Sequence, residues 1–397
     1  MTTSEPASTP APPSPPAPPL SKGFVVGRVA GAPVIITRSW FLAAVVLTIL
    51  FVPNVQAIAP HLGASAYLVA FAFVLLLFGS VFLHETAHAL VARARGQQVT
   101  ELAVTLWGGH TAYTGGLGRP LDGFLVAVVG PLTNLVLAAV FWFAYVAAPV
   151  QNVPTLLLYA AAVSNAFVGA FNLLPGLPLD GGQILESLVW AVTGKRTTGT
   201  VVAGWVGRVV AVGVLVWALV VPLLEGTSPS ITTVLWSALI GAFLWAGAGA
   251  AITNGRRRER IAGLSVSGLA APALPVPLGS TVAEALSARV TAVADDAPPS
   301  ASYRLVVVGP DGVPVAVLDD DAVAAVPAAA QHLTQVDAVA LPFVPGSEVD
   351  PGMSGSDLLK HLAQTSRGSR LVPVVFAGRV TGVLDLADVA RAVRARA

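Results

Sequence analysis

The amino-acid sequence predicts a polytopic α-helical membrane protein of about six spans, with a short N-terminal β-hairpin before them and a C-terminal α+β domain after them. Three observations carry this. Of 397 residues, 55% are hydrophobic and only 11% charged, and the mean hydropathy is +0.76, far from the balance of soluble chains. Six apolar stretches each approach the ~20 residues that a helix needs to cross the hydrocarbon core. After Arg260 the composition turns abruptly to short β-rich runs, Pro-Gly turns and acidic residues.

In chain order, residues 1–22, "MTTSEPASTPAPPSPPAPPLSK", are rich in Pro, Ser and Ala and lack an apolar core region. They are expected to be a disordered tail rather than a signal peptide. Residues 23–38, "GFVVGRVAGAPVIITR", alternate apolar with small or polar residues around Gly31, the pattern of a hairpin. The apolar stretches follow at roughly 39–59, 66–92, 124–148, 155–174, 200–223 and 231–253. Arg28, Arg38, Arg93, Arg95, Arg119, Lys195, Arg196 and the run "RRRER" all fall on one side of an even number of spans, so both termini are expected in the cytosol. Arg208 stands alone inside the fifth stretch, about two turns from its cytosolic end, and is expected to be a structural anchor that snorkels to the interface.

Net charge is +1, and no basic surface large enough for nucleic acid is evident. The chain has no cysteine, which excludes disulfides and thiolate metal sites. Any zinc must therefore be held by histidine and carboxylate.

The second stretch contains "HETAH" at 84–88. On a helix His84 and His88 lie one turn apart on the same face, with Glu85 beside them. That spacing lets two imidazoles meet one zinc ion while the glutamate takes a proton from an activated water. The competing account, neutral core histidines with Glu85 protonated or paired to an arginine such as Arg93, clusters three polar groups in apolar surroundings for no gain. A third ligand must be His, Asp or Glu. "NLLPGLPLDGG" at 172–182 closes the fourth stretch, where two prolines end a helix and glycines after Asp180 are expected to turn the chain sharply, presenting a carboxylate at the cytosolic edge.

"HETAH" in a membrane helix, followed by "NLLPGLPLDGG", resembles the site-2 protease family of intramembrane zinc metalloproteases, across roughly residues 23 to 255. The resemblance implies His84, His88 and Asp180 as ligands of one zinc ion and Glu85 as general base. "VGPLTN" at 129–134 is similar to the family's glycine-proline-x-x-asparagine element. Pro131 frees the carbonyl of Ala127 and Asn134 adds an amide where lipid offers no partner. With the resemblance, Asn134 and Asn172 are expected to position substrate or transition state, the alternative for Asn134 being an interhelical hydrogen bond. "LWGGHTAYTGG" at 106–116 is expected to form a hairpin or re-entrant loop whose edge pairs with an unwinding substrate, with His110 a candidate regulatory ligand of the metal.

Beyond 260, "YRLVVVGPDGVPVAVLDDDAV" and "SRLVPVVFAGRVTGVLDLADV" are two versions of strand, glycine turn, strand and helix start. Helical periodicity precedes each, at 281–288 and 354–365. Residues 261–397 look like a tandem pair of cystathionine-β-synthase-type (CBS) domains, a module that in relatives often binds adenine nucleotides. That resemblance implies Asp388 at a ribose-contacting position and Asp385 where relatives usually carry Thr or Ser. In the first copy Ala322 takes the acidic position. A structural role, with homo-oligomers forming through the pair, is the alternative.

The expected function is an intramembrane zinc metalloprotease acting on single-span membrane proteins and regulated by its CBS pair. Two other classes remain open here: a CBS-gated transporter or channel, and a non-catalytic membrane sensor of the same fold.

Overall fold

A computed structural model describes residues 21–106, 108–114, 117–150, 152–296 and 303–394. It divides into two compact units, Met1–Gly255 and Arg256–Ala397. The tail expected over 1–22 lies, apart from its last two residues, outside the described residues.

The first unit begins with strands β1 (Gly23–Val29) and β2 (Ala32–Thr37), paired antiparallel around a turn at Ala30 and Gly31. Helix α1 (Arg38–Ile58) follows, then a 3-10 turn and α2 (Ala66–Ala94). Strands β3 (Gln98–Thr105) and β4 (Gly108–Thr114) come next, then α3 (Pro120–Ala147), α4 (Val153–Asn172), α5 (Asp180–Thr193), α6 (Arg196–Leu224) and α7 (Ile231–Ala262). Six of the helical stretches, Arg38–Ile58, Pro60–Ala94, Pro120–Ala147, Val153–Asn172, Arg196–Leu224 and Ile231–Ala262, are long and apolar enough to cross a membrane. Small residues let these helices approach closely: Ala70, Ala127, Ala203 and Ala248 are fully buried, whereas Leu68, Phe143 and Val209 face outward.

The four strands form one sheet in the order β1-β2-β3-β4, with β2 and β3 parallel and the other pairs antiparallel. The run "QVTELAVT" thus joins two separately predicted strand segments into a single sheet. β4 is one of its two outer strands. Glu101 on β3 is buried and accepts from the Ser21 amide and hydroxyl, each at 2.7 Å.

One expectation is corrected between the fourth and fifth long helices. The glycines after Asp180 do not turn the chain; they form the first turn of α5, whose first residue is Asp180. Their smallness serves contact instead. A Cβ on Gly181 would lie 2.3 Å from the Leu174 carbonyl oxygen, and one on Gly182 would lie 2.2 Å from the Leu177 nitrogen. The loop before α5 is clamped on its other side, where the Leu177 N–H donates to the Ala203 carbonyl of α6 and Gly207 leaves room for the Leu177 oxygen. Asp180 is therefore held by backbone packing on both flanks.

The second unit holds a six-stranded sheet ordered β8-β7-β6-β5-β10-β9. Its elements are α8 (Val266–Leu269), β5 (Ala271–Pro277), α9 (Val282–Asp296), β6 (Arg304–Val308), β7 (Pro314–Leu318), α10 (Asp320–Ala325), β8 (Ala340–Pro342), α11 (Gly355–Thr365), β9 (Leu371–Phe376), β10 (Arg379–Asp385) and α12 (Leu386–Arg394). Hairpins β6–β7 and β9–β10 turn on Gly312 and Gly378, both at positive φ, where a side chain would be strained. Each copy has its own apolar core, one around Val282, Leu305 and Leu318, the other around Leu358, Val372 and Leu384.

Candidate metal centre

His84 and His88 project from one face of α2 as the i, i+4 spacing requires. Their Nε2 atoms are 3.0 Å apart, and Oδ2 of Asp180 lies 3.1 Å from the first and 3.4 Å from the second. All three side chains are buried. They are the one such His and carboxylate group among the described residues whose ligand atoms converge within 4.8 Å.

The donor chemistry suits a cation. His88 Nδ1 lies 2.6 Å from the Val126 carbonyl, which can only accept, so that nitrogen carries a hydrogen and a neutral ring leaves Nε2 as a lone pair. For His84 the orientation is fixed through three other side chains. Ser80 Oγ donates to the Leu76 carbonyl, and Asn165 Nδ2 donates both to Ser80 Oγ and to the Ala161 carbonyl. Asn165 Oδ1 therefore faces Asn134 Nδ2 and accepts from it at 2.9 Å. That leaves Asn134 Oδ1 to accept from His84 Nδ1 at 2.5 Å. Two lone pairs and a carboxylate oxygen thus point at one spot from a fixed frame, the arrangement that supports metal-binding histidines.

Space is reserved at that spot. A Cβ built on Gly130 of α3 would lie 2.2 Å from His88 Nε2 and 2.6 Å from His84 Nε2. The gap a side chain would fill is therefore the gap between the ligand atoms. The three donor separations, 3.0, 3.1 and 3.4 Å, sit close to the roughly 3.3 Å between ligands of a tetrahedral zinc with ~2.0 Å bonds. By donor type, spacing and room, the residues fit zinc.

Glu85 is held from the sheet side. Thr111 Oγ1 on β4 donates to Glu85 Oε2 at 2.8 Å, and Gly109 lets the strand approach so closely that a Cβ there would be 2.3 Å from Glu85 Cγ. Alternation along β4 puts Gly109, Thr111 and Tyr113 on one face. Burial, then the charge of Asp180, pushes the Tyr113 phenol above its ordinary value, so it remains a neutral donor. His84, Glu85, His88 and Asp180 open into a cavity of about 420 Å³, which is also lined by His110, Tyr113, Asn172 and Gln183.

Two of the expected site residues are engaged with other partners in this setting. Asn134 is 1% exposed and engaged with His84 and Asn165. It orients a histidine and does not face the cavity, because both ends of its amide are already used. His110 lies at the cavity wall, but its Nε2 is directed to Glu101 Oε1 at 3.3 Å rather than joining the three converging side chains. Asn172 lines the cavity.

Sequence reasoning passed over Gly130, Asn165, Ser80 and Thr111. Asn165 carried a readable signal, an amide in mid-span that needs a partner. Gly130 and Thr111 act only through tertiary contact. In the second unit, Asp385 accepts from Arg370 at 2.9 Å and from the Ala387 amide at 2.7 Å, and Asp319 caps α10 in the equivalent way. Asp388 pairs with Arg391 at 2.8 Å.

Residues 149–216 match the model of peptidase family M50. The chain is 28% identical over 378 residues to sll0528 of Synechocystis sp., named as a zinc metalloprotease, covering 94% of this chain and 96% of that protein. It is 33% identical over 195 residues to Rip3 of Mycobacterium tuberculosis, also named as a zinc metalloprotease, covering 48% of this chain and 49% of that one. Against the similarly named YwhC of Bacillus subtilis it is 30% identical over 149 residues, 29% of this chain and 68% of that protein. Among solved structures, a site-2 protease from Methanocaldococcus jannaschii aligns at 23% identity and a TM-score of 0.41, covering 58% of this chain and 94% of the other.

Proposed function

The chain belongs to peptidase family M50 and is a zinc-dependent metalloendopeptidase of the site-2 protease type, and on that premise we propose that it cleaves single-span membrane proteins within their transmembrane segments. His84, His88 and Asp180 hold the zinc, and Glu85 is the general base. The observation that carries this is the convergence of three buried ligand atoms beside a restrained carboxylate, all facing one cavity.

Bound there, zinc supplies Lewis acidity that polarises a carbonyl and makes water acidic enough to lose a proton near neutral pH. Glu85 accepts that proton as the water oxygen bonds to the scissile carbon. With Oε2 tied to Thr111, Oε1 is the atom free to receive it. The proton then passes from Glu85 to the departing amine as the C–N bond breaks.

A helical substrate hides its peptide bonds in its own hydrogen bonds, so it must be drawn out before cleavage. β4 is an outer strand of its sheet and lines the cavity, so its free edge can pair with an extended segment and present the peptide bond to Glu85. Asn172, across the cavity, is placed to bind the same segment.

Both termini lie in the cytosol, as the basic residues between the spans suggest. The second unit is a regulatory CBS pair: its two hairpin-helix copies support this, and Asp388 is the carboxylate offered to an adenine nucleotide or to contacts between copies of the chain.

The test is purified protein carrying Glu85→Gln, assayed on single-span substrates with bound zinc counted. Zinc is expected at the parental level with cleavage reduced by at least ~10²-fold. Cleavage at the parental rate rejects Glu85 as the base.

A further inference from the structure

We propose that Arg208, with the two tryptophans that bracket it, forms a site between α6 and α7 for the phosphodiester of an anionic phospholipid. The guanidinium carbon lies 4.7 Å from the Trp205 ring centre and 4.9 Å from that of Trp245. Gly249 of α7 lies alongside, where an added Cβ would be 3.4 Å from Nη2, in ordinary contact with it.

The aromatic faces attract the charge but accept none of its hydrogens in the way an oxygen would. Arginine has five N–H donors, yet among the described residues none of its nitrogens has a hydrogen-bond acceptor or a carboxylate within ion-pair distance, and Nε is buried without a partner. Two other arginines on this unit's helices are matched: Arg95 holds Asp122 and Arg196 holds Glu186. A permanently charged group left unmatched in a membrane helix is costly unless an acceptor arrives from outside.

The site opens toward lipid. Trp205 and Trp245 are 50% and 48% exposed, on helices whose outer faces carry Val202, Val209 and Leu239. Tryptophan favours the headgroup level. Arg208 is twelve residues from the start of α6, about 18 Å along its axis, and that start carries Lys195 and Arg196. A phosphodiester matches the guanidinium fork with two parallel hydrogen bonds, which a neutral lipid or a lone water cannot do. The guanidinium's own unmatched charge, with Lys195 and Arg196 at the start of the same helix, favours a net negative lipid over a zwitterionic one.

The full chain is reconstituted in phosphatidylcholine vesicles doped with brominated phosphatidylglycerol or, at equal mole fraction, brominated phosphatidylcholine, and tryptophan quenching is compared. The component of quenching that disappears in the Trp205→Phe/Trp245→Phe variant is expected to respond about fivefold more strongly to the phosphatidylglycerol. Arg208→Gln removes that preference and Arg208→Lys retains part of it. Equal quenching of the parental protein by both lipids overturns the proposal without any variant having to fold. A preference abolished by added inorganic phosphate also overturns it, assigning the site to free phosphate.

Discussion

At the scale of single residues, the centre depends as much on a missing side chain as on those that bind. Gly130→Ala puts a methyl group where the two histidine Nε2 atoms and Asp180 converge. The expected outcome is a folded protein that binds zinc at least ~10²-fold more weakly, read by competition with a chromogenic chelator. Asn134→Ala leaves the ligands but frees the His84 ring, so zinc affinity is expected to fall ~10- to 100-fold. If Asn134 only bound substrate, affinity for zinc would not change. His84, Glu85, His88 and Asp180 were legible because an HExxH spacing is itself a statement about helix geometry, and because a carboxylate after a proline-broken helix end has few other uses. The role of Gly130 was not legible, since nothing in one chain's local pattern says which neighbour presses against a glycine. Asn134 was legible as a polar group needing a partner, but which partner depended on how α2, α3 and α4 pack.

At the scale of elements, β4 acts as a restraint on the base and as the open edge beside the cavity. Thr111→Val removes the hydrogen bond to Glu85 while keeping the shape of the strand. Turnover is expected to drop about tenfold with KM nearly unchanged, because the base is misoriented and the substrate contacts remain. Equal loss in KM would assign Thr111 to substrate binding. The sheet also carries a pH response. Burial raises the Glu101 carboxyl, but the Ser21 amide and hydroxyl and then His110 outweigh it and hold the group below the ordinary glutamate value. A depressed folded value means that the stabilisation is complete above the unfolded value and is lost as pH falls through the folded one. Protection of the β1 and β2 amides, measured against their intrinsic exchange rates, is therefore expected to fall below pH ~4, and Glu101→Gln should show lower protection already at neutral pH. Long elements were the readable ones: six apolar stretches and two hairpin copies stand out by period and length. α5 was missed because "LDGGQ" reads locally as a turn, and only the clamp from the Leu174 carbonyl and from α6 makes a helix of it. β3 was missed because "QVTELAVT" holds a buried glutamate that alternation alone places on the wrong side.

At the scale of the whole molecule, composition separates a membrane unit from a sheet-rich one near residue 255, and the groups proposed to carry catalysis all belong to the first. A chain ending after α7 is thus expected to keep full zinc occupancy, whereas any effect of ATP on turnover should vanish with the second unit. The boundary was legible because apolar helices and Pro-Gly hairpins differ in composition over dozens of residues, while nucleotide binding by the second unit was not, because Asp385 is spent on Arg370 and a helix cap. The most direct measurement is X-ray absorption at the zinc edge on the purified full-length protein and on Asp180→Ala. The parental spectrum should show two imidazole nitrogens and carboxylate oxygen around one zinc per chain, with the oxygen shell altered and occupancy falling in the variant. An unchanged spectrum at full occupancy in Asp180→Ala would contradict the account.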